Sequence, residues 1–535
     1  MKNPQLYKWH RRLSLLIALP VTLWALSGFM HPIMTSFRPA VATQFLKPAP
    51  IDAKKINVPL QEVLVKNELS SIHNFRIIRI DTNWFYQVQP SVQEVPVYFS
   101  TTTGKKLRNG DNLYARYLAK QFLEGQDPLP GFTTKTAAEN EANSETAEQA
   151  ASYDCCDAAT SCVLNNEKGS KVSAVNLVTN FDEEYKFVNR LLPVYKVNFD
   201  RPDGIRIYVE TTSDRFSLAV DNKRALFDDI FETFHNWEFL SVLGKWRYVI
   251  MSLLLAIAFT TACIGLYIFF NTKEKNKKGN EVVAARNRHR RSAAAVSLFT
   301  LMFTFSGAFH AASKLKPDTR YSYFTNEKIA AASLSLDTDS IAKIVKGAIT
   351  NISIVNMNDQ LYWQVYSTPK MLDKPAGVSP KAGQGEKKRK TTVDYVHSSK
   401  YTVLPEGEKM YARHLASLFS KQPATAAQST ELITKFEGEY GFVNKRLPVW
   451  RVDFDTNFNE RYYVETSSGK LSVRVDDTDL LEGYSFAMFH KHHFMDWGGK
   501  ELRDFSTMFW AMAQVILVII GIVYWRKTVS KKQAT

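Results

Sequence analysis

Cysteine is scarce in this sequence and charge is very unevenly spread. Four cysteines in 535 residues are too few for a disulfide-built scaffold. Cys155, Cys156 and Cys162 share one segment, and Cys263 stands alone in an apolar run. Two of the first three can close a local disulfide in an oxidising compartment, whereas a zinc site wants a fourth ligand that the neighbourhood does not offer. No Gly-rich dinucleotide fingerprint follows a strand-like run. No phosphate loop, Ser-His-Asp set or zinc signature is present either, which argues against nucleotide-dependent and hydrolytic chemistry.

Charge is missing altogether from four windows. Residues 13–37, 248–272, 292–313 and 505–525 contain no Asp, Glu, Lys or Arg. Each is long enough to cross a hydrocarbon core as a helix, which takes about 20 residues. Lys and Arg crowd three flanks: Lys2, Lys8, Arg11 and Arg12; the stretch from Lys273 to Arg291; and Arg526 to Lys532. Positive flanks stay cytoplasmic, so both termini and the 272–291 loop are expected inside and two large segments outside. The net charge of +15 is largely this topogenic charge, and no groove of interleaved basic and aromatic residues points to nucleic acid. The first span has a near copy inside the chain and no A-x-A site after it, so it is expected to be retained rather than cleaved.

The expected layout is a cytoplasmic segment 1–12, spans at 13–37, 246–271, 292–313 and 505–526, outer domains at 38–245 and 314–504, a basic loop at 272–291 and a cytoplasmic tail at 527–535. The outer domains are written twice. "FVNRLLPVYKVNFD" at 187–200 returns as "FVNKRLPVWRVDFD" at 442–455, and "IYVETTSDRFSLAVD" at 207–221 as "YYVETSSGKLSVRVD" at 462–476, both offset by 255. "LYARYLAKQFL" at 113–123 returns as "MYARHLASLFS" at 410–420, offset by 297. The difference is an insertion in the first copy, polar and acidic, expected as a flexible loop at about 124–175. The segment 369–392, rich in Gly, Pro and Lys, reads as a second loop. Each copy reads as a helix followed by antiparallel strands with turns at "RPDG" and "TTSDR". The fold class is therefore an α+β membrane protein: four transmembrane helices in two tandem parallel repeats, each with an outer α+β domain.

Histidines follow the duplication. "YKWHRRLSLLIALPVTLWALSGFMHP" and "ARNRHRRSAAAVSLFTLMFTFSGAFHAA" each run from His-Arg-Arg to Ser-Gly-x-x-His, and His10 to His31 and His289 to His310 are both 21 residues. On a helix that spacing rises about 31 Å and returns to within about 60° of the same face. His235 in "FETFHNW" and His490 in "FAMFHKHH" are a third matched pair, just outside the second helix of each copy. Two helices facing across an axis supply two imidazoles at each level, which is what a six-coordinate b-type haem requires. Two haems are expected, one from His10 and His289. The outer one is held by His31 with His310, or by a first-helix and a second-helix histidine, His31 with His235 or His310 with His490. His492 and His493 have no histidine counterpart. Trp24, Phe29, Phe303 and Phe305 are candidate intervening aromatics.

The opening "YKWHRRLSLLIALPVTLWALSG", the stretch "FHNWEFLSVLGKWRYVIMSLLLAIAFTTACIGLYIF" and the strand-rich outer units together resemble the PepSY-associated transmembrane family. That resemblance covers nearly the whole chain apart from the Cys-containing insertion and the basic stretch at 381–392. It implies a bacterial inner-membrane protein with periplasmic PepSY-like domains that reduces a ferric siderophore through membrane haem. Siderophores offer hard oxygen ligands, which hold Fe(III) better than Fe(II), so reduction releases the metal. The cytoplasmic segments are too short to fold a flavin or nicotinamide domain, so the electron donor is a quinol or a cytoplasmic reductase. A reductase for another metal chelate, and a non-enzymatic accessory whose helices only anchor a binding domain, are the alternatives.

Overall fold

The computed structural model describes residues 4–34, 37–126, 170–274, 279–316, 324–325, 327–369 and 391–533. The three clustered cysteines and most of both expected loops lie outside the described residues. The first half runs α1 (Pro4–Met34), α2 (Leu60–Lys66), β1 (Ser71–Ile72), β2 (Asn74–Ile80), β3 (Asn83–Gln89), β4 (Val97–Ser100) and β5 (Lys106–Leu107). It continues with α3 (Gly110–Glu124), β6 (Val172–Val178), β7 (Val194–Phe199), β8 (Arg206–Glu210), β9 (Arg215–Val220), α4 (Asn222–Phe234) and α5 (Trp246–Phe270). The second half runs α6 (Glu281–Ser313), β10 (Ile329–Ala330), α7 (Thr338–Ile344), β11 (Ala348–Met357), β12 (Gln360–Thr368), β13 (Thr392–His397) and α8 (Gly407–Ser420). It ends with β14 (Ala427–Ile433), β15 (Val449–Phe454), β16 (Glu460–Glu465), β17 (Lys470–Val475), α9 (Asp477–Ser485) and α10 (Gly499–Gln533). Strand β6 begins at Val172, so the end of the expected 124–175 insertion is sheet rather than loop.

The chain forms two compact units: a helical one from residues 1–38, 222–320 and 476–535, and a strand-rich one from residues 39–221 and 321–475. In the helical unit α1, α5, α6 and α10 are long and apolar enough to cross a membrane, as a multi-pass membrane protein requires. Helix α1 packs on α5 and α10, and α6 packs on the same two, closing a four-helix ring. Helices α1 and α6 extend well before the uncharged windows at 13–37 and 292–313, because Lys and Arg are good helix formers whose heads reach water from a helix edge. The segments 222–245 and 476–498, expected within the outer domains, pack with the helical unit instead.

The strand-rich unit contains both copies. Sheet β6-β7-β8-β9 and its counterpart β14-β15-β16-β17 are antiparallel meanders, and β2-β3-β4-β5 and β11-β12-β13 are the accompanying sheets. Helix α3 fills the space between the two first-half sheets, with Leu113, Leu118 and Phe122 packed among Phe85, Tyr98, Val197 and Ile207. Gly110 is obligatory there, since a Cβ would sit 2.7 Å from the Tyr98 ring; Gly407 meets Tyr395 at 2.6 Å in the second half.

Two expected domains are thus one compact body. Its central core interleaves Phe75, Ile77 and Tyr86 with Ile352, Ile354 and Trp363. The facing strands β2 and β11 are tied reciprocally: the Asn351 side chain accepts from Ile77 N at 3.1 Å, and Asn74 accepts from Ile354 N at 3.4 Å. These contacts exchange under a shift of 277 residues, so the halves meet about a local two-fold relation.

Candidate cofactor-binding site between the long helices

The helical unit brings four of the six candidate histidines together as two pairs. His10 on α1 and His289 on α6 lie with ring centroids 6.4 Å apart and planes tilted by 43°. Nδ1 of His10 is 3.2 Å from the Thr261 carbonyl on α5. A carbonyl only accepts, so Nδ1 carries the proton and Nε2 is left with a free lone pair. Thr261 lies inside α5, and its carbonyl has a second lone pair beyond the one used by the helix. Tyr524 stacks on His289 at 6.1 Å, and His289 Nδ1 is buried with no partner among the described residues.

His235, just after α4, and His490, just after α9, form the second pair, 6.0 Å apart and nearly perpendicular at 80°. Ser27 Oγ lies 3.0 Å from His235 Nδ1, and Ser306 Oγ lies 3.2 Å from His490 Nδ1. Each serine has one proton. Ser27 gives it to Leu23 O at 2.7 Å and Ser306 to Met302 O at 2.8 Å, inside their own helices. The histidines must therefore donate from Nδ1, which again presents Nε2 as a lone pair.

Each of these four rings lies against a glycine. A Cβ on Gly265 would stand 3.1 Å from His10 Cε1, on Gly521 3.5 Å from His289, on Gly28 3.8 Å from His235 and on Gly307 4.0 Å from His490. Gly28 and Gly307 follow the two serines directly. The Ser-Gly of each long motif therefore serves a histidine that is remote in sequence, not the histidine that closes the motif.

His31 and His310 do not face each other, nor the outer pair directly. Phe231 stacks on His235 at 4.6 Å and also contacts His31, whose ring is 5.2 Å from it. Phe486 does the same with His490, at 4.7 Å, and His310, at 4.6 Å. His310 is further tied through Nδ1 to Glu482. The physical reason is helical phase: a 21-residue spacing returns near one stripe, but Phe231 and Phe486, one turn before His235 and His490, take up the ring contacts of His31 and His310. The outer pairing His235 with His490 is one that the sequence reading passed over. Its signal was the shared offset of 255, to which the same axis argument applies.

Among the expected aromatics, Trp24 stacks on Trp237 at 4.9 Å and donates its indole N–H to His235 O at 3.0 Å. In the second half Phe303 stacks on His492 at 5.1 Å, so His492 holds the place of Trp237; both have positive φ, 53° and 54°. Phe305 packs on Phe259 instead. His492 Nδ1 meets Ser506 Oγ at 3.0 Å, whereas His493 is paired with Asp496 away from both histidine pairs.

Set against known proteins, the chain matches no family model and no curated protein. The site is therefore judged on its donors. Bis-imidazole ligation needs neutral rings that present lone pairs towards each other, with the remaining nitrogen held by a polar partner. His10, His235 and His490 have the held Nδ1, both pairs have ring centroids 6.0–6.4 Å apart, and four glycines leave the ring flanks clear. The residues fit haem.

Proposed function

We propose that this protein is a haem-bearing electron carrier of a bacterial inner membrane that reduces a ferric siderophore or a similar chelate on the outer side. The observation that carries the reading is the two neighbouring histidine pairs, with Nδ1 of His10, His235 and His490 committed to hydrogen bonds. Four spans, topogenic charge at three flanks and the resemblance to the PepSY-associated transmembrane family support it. In this reading the duplicated halves are parallel repeats, the termini and basic loop are cytoplasmic, and the strand-rich unit is periplasmic.

His10 and His289 hold the cytoplasmic-side group and His235 and His490 the outer one. Bound haem supplies a one-electron couple at each level. The chain's own part is to fix ring orientation through Thr261, Ser27 and Ser306. Phe231, Phe486, Trp24 and Trp237 exclude water from the outer pair. Reduction of the chelate releases iron because its oxygen donors bind Fe(II) poorly. A quinol or a cytoplasmic reductase supplies the electrons.

The test is an absorbance spectrum of the detergent-purified protein, oxidised and then reduced with dithionite, followed by addition of a ferric trihydroxamate. A sharp b-type reduced spectrum that reoxidises with formation of Fe(II) is expected. A protein that stays colourless when supplied with haem overturns the reading and leaves a binding or accessory role.

A further inference from the structure

The strand-rich unit carries an asymmetry between its copies that the haem reading does not use. In the first half, Arg76 on β2 donates to Gln87 Oε1 at 2.8 Å, to Thr211 O at 3.1 Å and to Asp214 at 2.7 Å, while Tyr114 OH donates to Asp214 at 2.6 Å. This guanidinium is nearly enclosed, and its carboxylate partner completes a filled site. Asp214 sits at positive φ, 53°, which aspartate tolerates better than most residues.

The second half keeps the frame and omits the ions. By the same offsets, Gln87 is matched by Gln364, Thr211 by Thr466 and Tyr114 by Tyr411, but Arg76 is matched by Ser353 and Asp214 by Gly469. Gln364 still donates to Thr466 O at 2.9 Å, and Ser353 now donates to Gln364 Oε1 at 2.8 Å. Where the first half has Asp214, the second has a narrow, half-open cleft with room for about one water-sized group, bordered by Tyr411, Thr466, Ser468 and Gly469 and lined opposite by His73, Glu327 and Asn356.

The lining carries hydroxyl and amide groups but, among the described residues, no lysine or arginine. Among those residues Asn356 Oδ1 is buried without a hydrogen-bond partner, and the Glu327 carboxylate has His414, at 3.8 Å, as its ion-pair neighbour. His73 Nδ1 is already spent on Glu327 O at 2.9 Å. A carboxylate and an unpaired carbonyl oxygen together call for a cation that brings its own N–H groups.

We propose that this cleft binds an alkylammonium group of an external molecule, at the position where the first half places Asp214 to pair with its own Arg76. Glu327 supplies the counter-charge, Asn356 Oδ1 accepts a hydrogen bond, and Gly469 leaves the room that Asp214 takes in the other copy. The inference is independent of haem, and nothing in the histidine pairs bears on it.

The experiment is calorimetric titration of the purified full chain with 1,5-diaminopentane, with glutarate and 1,5-pentanediol as anionic and neutral controls of the same length. Saturable binding of the diamine alone is expected. Glu327→Gln weakens it about tenfold, as loss of a charge-assisted contact should. The double variant Ser353→Arg/Gly469→Asp installs the first half's ion pair and abolishes binding. Near-UV circular dichroism shows whether each variant stays folded. Equal binding of diamine and diol, undiminished binding in Glu327→Gln, or undiminished binding in a folded double variant overturns the proposal. So does competition by calcium at equal concentration, which would make the cleft a metal site.

Discussion

Each compact unit has a polar centre where its two halves meet, and the two centres are built on opposite principles. In the strand-rich unit Arg446 lies between Glu210 and Glu465, which are matched residues of the two copies, at 2.9 and 2.7 Å. Arg215 and Lys470, also matched, bind Glu465 and Glu210 from the outside. Every charge there has a partner, and both carboxylates are fully buried. In the helical unit the matched residues are histidines, whose rings lie 6.0–6.4 Å apart with no hydrogen bond between them among the described residues. A centre that satisfies itself needs nothing further and serves to join the halves. One that gathers imidazoles without joining them is arranged for something else to enter.

The sharpest way to break this contrast is at the outer histidines. His235→Ala and His490→Ala should each remove roughly half of the haem, leaving the His10 and His289 complement, because an imidazole pair is lost with either partner. His31→Ala and His310→Ala should retain the full amount, since their ring contacts are with Phe231 and Phe486 rather than with another histidine. A pyridine haemochrome assay against protein concentration decides it. Equal loss in all four variants would erase the distinction between paired and flanking rings.

At the strand-rich centre the expected effect is on stability. Arg446→Leu copies the first half, where Leu191 occupies the matched position, but removes the cation shared by two buried carboxylates and leaves each with one partner, Lys470 or Arg215. The cost is about 3–5 kcal/mol, as for removal of one partner from a buried ion pair. Thermal unfolding of the full chain should show it, while haem content is unchanged.

The same centre sets an acid limit. Desolvation opposes the charge on Glu210 and Glu465, but their cationic neighbours outweigh it: Arg446 and Lys470 hold Glu210 well below the usual carboxylate range, and Arg215 and Arg446 hold Glu465 below it. Glu184, beside Arg206, Tyr208 and Lys196, is lowered to about 2. A carboxylate whose folded value is depressed stabilises fully above its unfolded value of about 4.3 and progressively less as pH falls towards the folded value. The unfolding midpoint should therefore be flat from neutrality to about pH 5 and fall below about pH 4. The fall should be shallower in Glu184→Gln, which starts from a lower midpoint at neutrality.

Legibility in the sequence followed the range of the interaction. The spans are legible because loss of charge over 21–25 residues is a local property. The candidate histidines are legible because duplication marks them twice. Which histidines meet is not, since it depends on how Phe231 and Phe486 pack among rings contributed by different helices. Arg446 escapes a search by repeats for a related reason: a residue close to a two-fold relation can serve both copies, so its counterpart Leu191 carries no sign of it. The strand pairing of β7 to β9 follows from the Pro-Asp-Gly and Ser-Asp turns, whereas the merger of both copies into one body depends on the Asn74 and Asn351 contacts across 277 residues.

The smallest effect separates the two histidine pairs from each other. Gly265→Ala would place its methyl 3.1 Å from His10 Cε1, closer than nearly all real contacts, so the ring or α5 must yield by a few tenths of an ångström. Gly28→Ala would place its methyl 3.8 Å from His235, an ordinary van der Waals distance. Both glycines lie in long helices, where alanine is the better helix former, so any loss has to come from the ring contact. Gly265→Ala should thus tilt His10 away from the Thr261 carbonyl and shift the redox titration of one haem, while Gly28→Ala leaves both waves in place. A shift of equal size in both variants would show that the glycines set helix spacing rather than ring position. The contrast between 3.1 and 3.8 Å would then carry no functional meaning.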